Sequence, residues 1–196
     1  MPNMNNNTKV SAKKINSMAK TLTKKVKNSL KKTGNVVKAV SKKRLHSEIV
    51  NAQNNNTMLK KSKKLKTNVT KLENTANRVI NNRVNVAVNN AQKNIAPKVK
   101  MAVKAAVANN NPRPLERLGM AMESAGGLIG AAVRLPFNIV QRGLNAATGR
   151  KRNYGNRKGV FAHARNMVSH TGHGVTGLAA APFRLFSRNT NRNRKH

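Results

Sequence analysis

Apolar positions along the chain recur with the period of a helix and are separated by Lys and Asn. Ile15, Met18, Leu22, Val26 and Leu30 follow one another at three- and four-residue steps. That spacing predicts an amphipathic helix beginning near Lys9, with Gly34-Asn35 as its stop. A shorter apolar run follows, through Val36, Val37, Val40, Leu45 and Ile49. Asn54-Asn55-Asn56 then reads as a loop, after which Thr57 is placed to cap the next helix. Leu65, Val69, Leu72, Ala76, Val79 and Val86 alternate by four and three once Arg83 is skipped, and Met58 shares their register. This is a heptad seam of about four repeats. It suits either a long amphipathic helix lying on a neighbour or a coiled coil with the first helix or a second copy. Ala76, Arg83 and the lack of Glu for partner charges weigh towards the first. Pro97 ends or kinks this helix. An Ala/Val helix then runs to about Ala108, and Asn109-Asn110-Asn111 makes the next break.

From Pro112 to Gly149 the pattern changes. The stretch PRPLERLGMAMESAGGLIGAAVRLPFNIVQRGLNAATG holds the first concentrated supply of Leu, Ile, Phe and small residues. Pro114 suits the first turn of a helix. Leu115, Leu118, Met122, Ala125, Ile129 and Val133 then share one face. Gly126 and Gly130 form a GxxxG spacing flanked by Gly127, Ala131 and Ala132. Small residues so spaced let another backbone approach closely; the alternative is simple flexibility before Pro136. Met122, Gly126, Ile129, Gly130 and Val133 are therefore the candidate packing face, pressed against another backbone or a flat partner surface. Pro136 ends this helix and begins another, with Phe137, Val140 and Leu144 facing one way and Gly149 as a cap. A third helix is expected from Val160 to His170, a Gly-rich turn at Gly172-His173-Gly174, and a last helix through Pro182, Phe183 and Phe186. Met122, Ser124, Gly126 and Pro136-Phe137 are echoed by Met167, Ser169, Gly172 and Pro182-Phe183. The echo marks a duplicated unit or a chance likeness of two Gly/Ala-rich segments.

These patterns predict a mostly α protein, with extended helical arms and small Gly/Ala-rich helical blocks rather than one compact globule. Three segments are expected: 1–110, a Lys/Asn-rich helical arm; 111–149, the apolar Gly/Ala block; and 150–196, an Arg-rich second block with a basic tail.

Charge adds a constraint that the pattern does not contain. Lys and Arg number 40 and Asp and Glu 4, for a formal net charge of +36. The four acids are Glu48, Glu73, Glu116 and Glu123. A sphere of ~20 Å radius with that charge has a screened self-energy of roughly 40 kcal/mol at physiological salt. The unfolded chain also repels itself, so only part of this opposes folding. Domain stability is just ~5–15 kcal/mol, so even a part matters, and a compact state calls for a polyanion or an acidic surface. The basic residues also change type: 22 Lys and 3 Arg up to Lys104, then 3 Lys and 12 Arg. Lys is a hydrated point charge, whereas Arg forks onto phosphate or carboxylate and tolerates partial burial. The first part thus reads as a general electrostatic arm and the second as a packed or docked module. Codon bias explains the Lys and Asn but not the switch. Asn makes up about a sixth of the chain and aromatics 3%, a composition poor in material for a core.

The sequence offers little for catalysis. Four scattered Glu supply little for general acid–base work, and the protein is expected not to be an enzyme. His163, His170 and His173 resemble a metal-binding spacing, but no Cys, Asp or nearby Glu completes a site; surface or turn histidines are the simpler reading. No cofactor and no metal are expected. No phosphate-loop or dinucleotide fingerprint precedes a helix. The N-terminus carries no apolar signal-peptide core, and no apolar run reaches the ~18–20 residues of a membrane span. The densest basic loop supplies the candidate polyanion-binding residues Arg150, Lys151, Arg152, Arg157 and Lys158. It also reads as a nuclear localisation tract. One Tyr and four Phe are too few for a base-stacking platform, so contact with nucleic acid would be directed at the backbone and blind to sequence.

In composition, the stretches MNNNTKVSAKK, NAQNNNTMLKKSKKLK and GLIGAAVRLPF resemble small basic virion proteins of large icosahedral DNA viruses, such as minor capsid or core proteins. The resemblance implies a structural protein that lines or cements the inside of the shell, with capsid or other assembly proteins as partners. An anionic membrane surface is a further candidate partner, through basic faces and apolar Gly/Ala helices. Location in the capsid interior of the virion follows, with the nucleus or cytoplasm of the host cell otherwise. A histone-like DNA-packaging protein and a ribosomal protein are the alternatives that the charge leaves open.

Overall fold

A computed structural model describes residues 12–109, 113–148 and 161–192. They form α1 (Ala12–Asn54), α2 (Thr57–Lys61), α3 (Lys63–Ala108), α4 (Arg113–Ala131), α5 (Arg134–Ala147) and α6 (Ala162–Arg192), with no strand among the described residues. The protein is mostly α, with long helical arms. At 1.5 Å per residue, the 43 residues of α1 span about 65 Å and the 46 of α3 about 69 Å.

The arms form an antiparallel hairpin. Gln92 Nε2 donates to the Lys27 carbonyl (3.2 Å), Lys38 Nζ to Asn85 Oδ1 (2.6 Å), and His46 Nδ1 lies 2.9 Å from Glu73 Oε1. Residue numbers rise along α1 as they fall along α3. The turn is built by side-chain caps. Asn56, not Thr57, caps α2, its side chain accepting from the N–H groups of Met58 and Leu59. Ser62 then caps α3 by accepting from the N–H of Leu65.

Gly34 does not stop α1, which continues for twenty residues beyond it. A Cβ built there would fall 2.5 Å from Val88 Cγ2, so the glycine marks the approach of α3. The buried seam also differs from a heptad. On α3 it follows Val69, Ala76, Ile80, Val84, Val88, Ile95, Val99 and Val103, while Val86 is 58% and Met58 63% exposed. Likewise Ala19, not Met18, lies in the seam of α1. Ala19, Leu30, Ser41 and Ala52 on α1, and Val69, Ile80, Ala91 and Ala102 on α3, fall eleven residues apart. Eleven residues in three turns is 3.67 per turn, close to the natural helix, whereas a heptad stripe drifts by ~20° per repeat on a straight helix. Helix α3 also runs unbroken through Pro97. Its ring and Lys93 both lie on the exposed side, where water can take up the carbonyl that proline leaves unbonded.

The second half returns along the hairpin. Helices α4 and α5 run from the end of α3 back towards the turn, where Gly143 meets Leu72. A break at Ala132-Val133 separates them, and Pro136 sits in the first turn of α5, where its missing N–H is harmless. Helix α6 then runs antiparallel to α4, with Gly130 against Ser169, Gly126 against Gly172 and Gly177 beside Glu123. It packs on both α4 and α1. Thus α1, α3, the α4–α5 pair and α6 alternate in direction, as in an up-down-up-down four-helix bundle.

The expected turn at Gly172-His173-Gly174 is helix, and α6 also passes through Pro182. The echoing blocks lie on one another, with matched Gly126 and Gly172 meeting face to face. Phe137 and Phe161 pack with ring centroids 5.8 Å apart; Val, Ala, Leu and Ile make up most of the continuous core. Buried Thr33, Ser41 and Thr176 satisfy their hydroxyls on carbonyls four residues back, a bond available to Ser and Thr within a helix.

Candidate polyanion-binding surface

Burial of the apolar seams leaves the basic residues of the hairpin outside. Lys20, Lys24, Lys25, Lys27, Lys31, Lys32 and Lys43 on α1 are exposed, as are Lys63, Lys64, Lys66, Lys71, Lys93, Lys98, Lys100 and Lys104 on α3. Lys38 and Lys42 are half-buried. Along its length the hairpin carries about one cation per 3 Å, against one phosphate per ~1.7 Å of duplex axis. Glu48 and Glu73 are the only acids on α1 and α3. Glu73 is 17% exposed and lies against His46; two carboxylates among so many lysines leave the surface strongly positive.

Among the described residues, two depressions can be traced in this surface. One lies between α1 and α3, lined by Asn16, Ala19, Lys20, Thr23, Lys24, Lys27, Asn28, Ala96 and Lys100. The other lies at the turn end of the bundle. Its lining includes Asn51, Asn55, Asn56, Gln141 and Asn145 together with Leu59, Leu144, Phe161 and Glu48. The first is cationic. The second is rich in amides and holds a single charged side chain.

Met122, Gly126, Ile129, Gly130 and Val133 are all buried within the bundle. Gly126 lies against Thr176 Oγ1 and the Gly172 carbonyl, and Gly130 against the backbone of Ser169. The close approach is therefore to another helix of the same chain, and this face is not open to a second molecule. Arg150, Lys151, Arg152, Arg157 and Lys158 lie outside the described residues. His163, His170 and His173 are exposed on α6, the ring of His173 lying over Gly127. Among the described residues no group of three or more His, Cys, Asp or Glu is placed to hold a metal ion, and no helix is long and apolar enough to cross a membrane.

The i, i+4, i+7 spacing of Lys20, Lys24 and Lys27 was visible in the sequence. Their convergence with Lys100 was not, because it depends on how α1 and α3 pair. No family model, curated protein or solved structure matches this chain.

Proposed function

We propose that the protein is a non-enzymatic structural component of a large assembly, a basic virion protein that lines or cements the inner face of an icosahedral shell. One observation carries the reading. A long bundle exposes lysines over its whole hairpin, with too few acids to balance a net charge of +36. Such an object is suited to neutralise a neighbouring polyanion over an extended contact. The compositional resemblance to virion proteins supplies the kind of assembly. Sequence-blind DNA packaging is the second reading, favoured by the spread of lysines along α1 and α3.

Fractionation of purified particles tests both. A lining protein is present in fixed ratio to the major shell protein and stays with shells emptied of nucleic acid until salt is raised. A packaging protein leaves with the nucleic acid. Absence from purified particles refutes the virion assignment.

A further inference from the structure

We propose that the cleft between α1 and α3 is a discrete seat for a run of phosphate groups, from a nucleic-acid backbone or a free polyphosphate. This rests on the polyanion-binding reading above and gives it a specific site. The cleft exists because both helices carry alanine there. Ala19 and Ala96 recede where larger side chains would fill the groove, leaving a space of about 470 Å³. The groove is open to solvent rather than enclosed, so it suits an extended chain lying along it rather than a buried small molecule.

What surrounds the space is chemically consistent. Lys20, Lys24 and Lys27 come from successive turns on one side of α1, and Lys100 faces them from α3. Asn16, Thr23 and Asn28 add neutral hydrogen-bonding groups. None of the four Glu lines the cleft. The scaffold is held across the helices, since Gln92 Nε2 of α3 donates to the Lys27 carbonyl. Four lysines border one hollow with no acid among its lining residues. A row of phosphates placed there can accept charge-assisted hydrogen bonds from their mobile heads. Lysine suits this task because its point charge can track successive phosphates without the fixed fork of arginine.

The competing account is that the lysine stems merely cover Ala19 and Ala96, and that any polyanion is held by charge spread over the hairpin. Two triple variants of the full chain separate these accounts at equal charge change. One is Lys20→Gln, Lys24→Gln and Lys100→Gln in the cleft. The other is Lys60→Gln, Lys64→Gln and Lys66→Gln, all exposed near the turn. Each is titrated with a short DNA duplex and, separately, with short-chain inorganic polyphosphate, beside the parent. A discrete seat predicts that the cleft triple loses at least about tenfold more affinity than the turn triple. Its salt slope should also be the shallower, by ~0.9 for each phosphate that the protein no longer neutralises. Greater loss with the duplex assigns the phosphates to nucleic acid; greater loss with polyphosphate assigns them to the free polymer.

Both triples are expected to melt higher than the parent at low salt without added anion, because each lowers the net charge of +36 by three; a cleft triple that alone melts lower would mark a folding defect. The single variants Lys24→Gln and Lys100→Gln, titrated alike, keep the test independent of any folding defect in the triple. Equal losses in the two triples overturn the seat and leave the broader polyanion reading standing. A parent that binds neither probe overturns both.

Discussion

The same chemical change, Gly to Ala, is expected to move stability in opposite directions at Gly126 and Gly174. Both lie inside helices, so both gain ~1 kcal/mol of helix propensity. Gly174 has nothing within 4 Å of where a Cβ would sit, so the gain stands alone. At Gly126 the added methyl meets Thr176 Oγ1 and, at 2.5 Å, the Gly172 carbonyl oxygen. Neither obstacle swings aside: one is backbone, and Thr176 is buried with its hydroxyl bound to that same carbonyl. Ordinary contact requires α4 and α6 to part by about 1 Å, which places the penalty at the upper end of overpacking, ~3 kcal/mol. The net effect is a loss of about 2 kcal/mol at Gly126 and a gain of about 1 at Gly174. For a chain of this size, thermal unfolding by circular dichroism should show Gly126→Ala melting roughly 4–8 °C lower and Gly174→Ala roughly 2–4 °C higher. A Gly126→Ala variant that melts above the parent refutes the backbone-to-backbone packing of α4 on α6.

Two further outcomes follow from the same structure. Gly34→Ala should destabilise through its contact with Val88 Cγ2, and Val88→Ala in that background should restore part of the stability. A double-mutant cycle is expected to give a coupling of about 1 kcal/mol or more, and a coupling near zero would remove Gly34 from the hairpin contact. Because 36 positive charges are left over, the melting temperature should rise with ionic strength as repulsion is screened, and a fall with added salt in melts at fixed pH would contradict the charge argument.

The helical class and the faces of α4 and α5 were legible in the sequence because dense apolar residues leave one phase open. Leu118, Met122, Ala125, Ile129 and Val133 are buried, as are Phe137, Val140 and Leu144. The arms were less legible. Their apolar residues are sparse and small, so a heptad and an eleven-residue stripe share Leu65, Val69, Leu72 and Ala76 and part only at Ile80, Val84 and Val88. Gly34, Gly172 and Gly174 look alike as helix breakers. Only the partner helix shows that the first two are contacts and the third is open. The lysine cleft was hidden for the same reason, since Ala19, Ala96 and Lys100 become neighbours only through the pairing of α1 with α3.

A bundle that holds polyanions by charge alone should bind two duplexes of unrelated sequence alike. Equilibrium binding of the full chain to such a pair, over a series of salt concentrations, should therefore give matched affinities and a linear fall of log K with log salt, with a slope near −5 or steeper for about six or more phosphate contacts. A shallow slope, or a strong preference for one duplex, would overturn the proposal that charge does the binding.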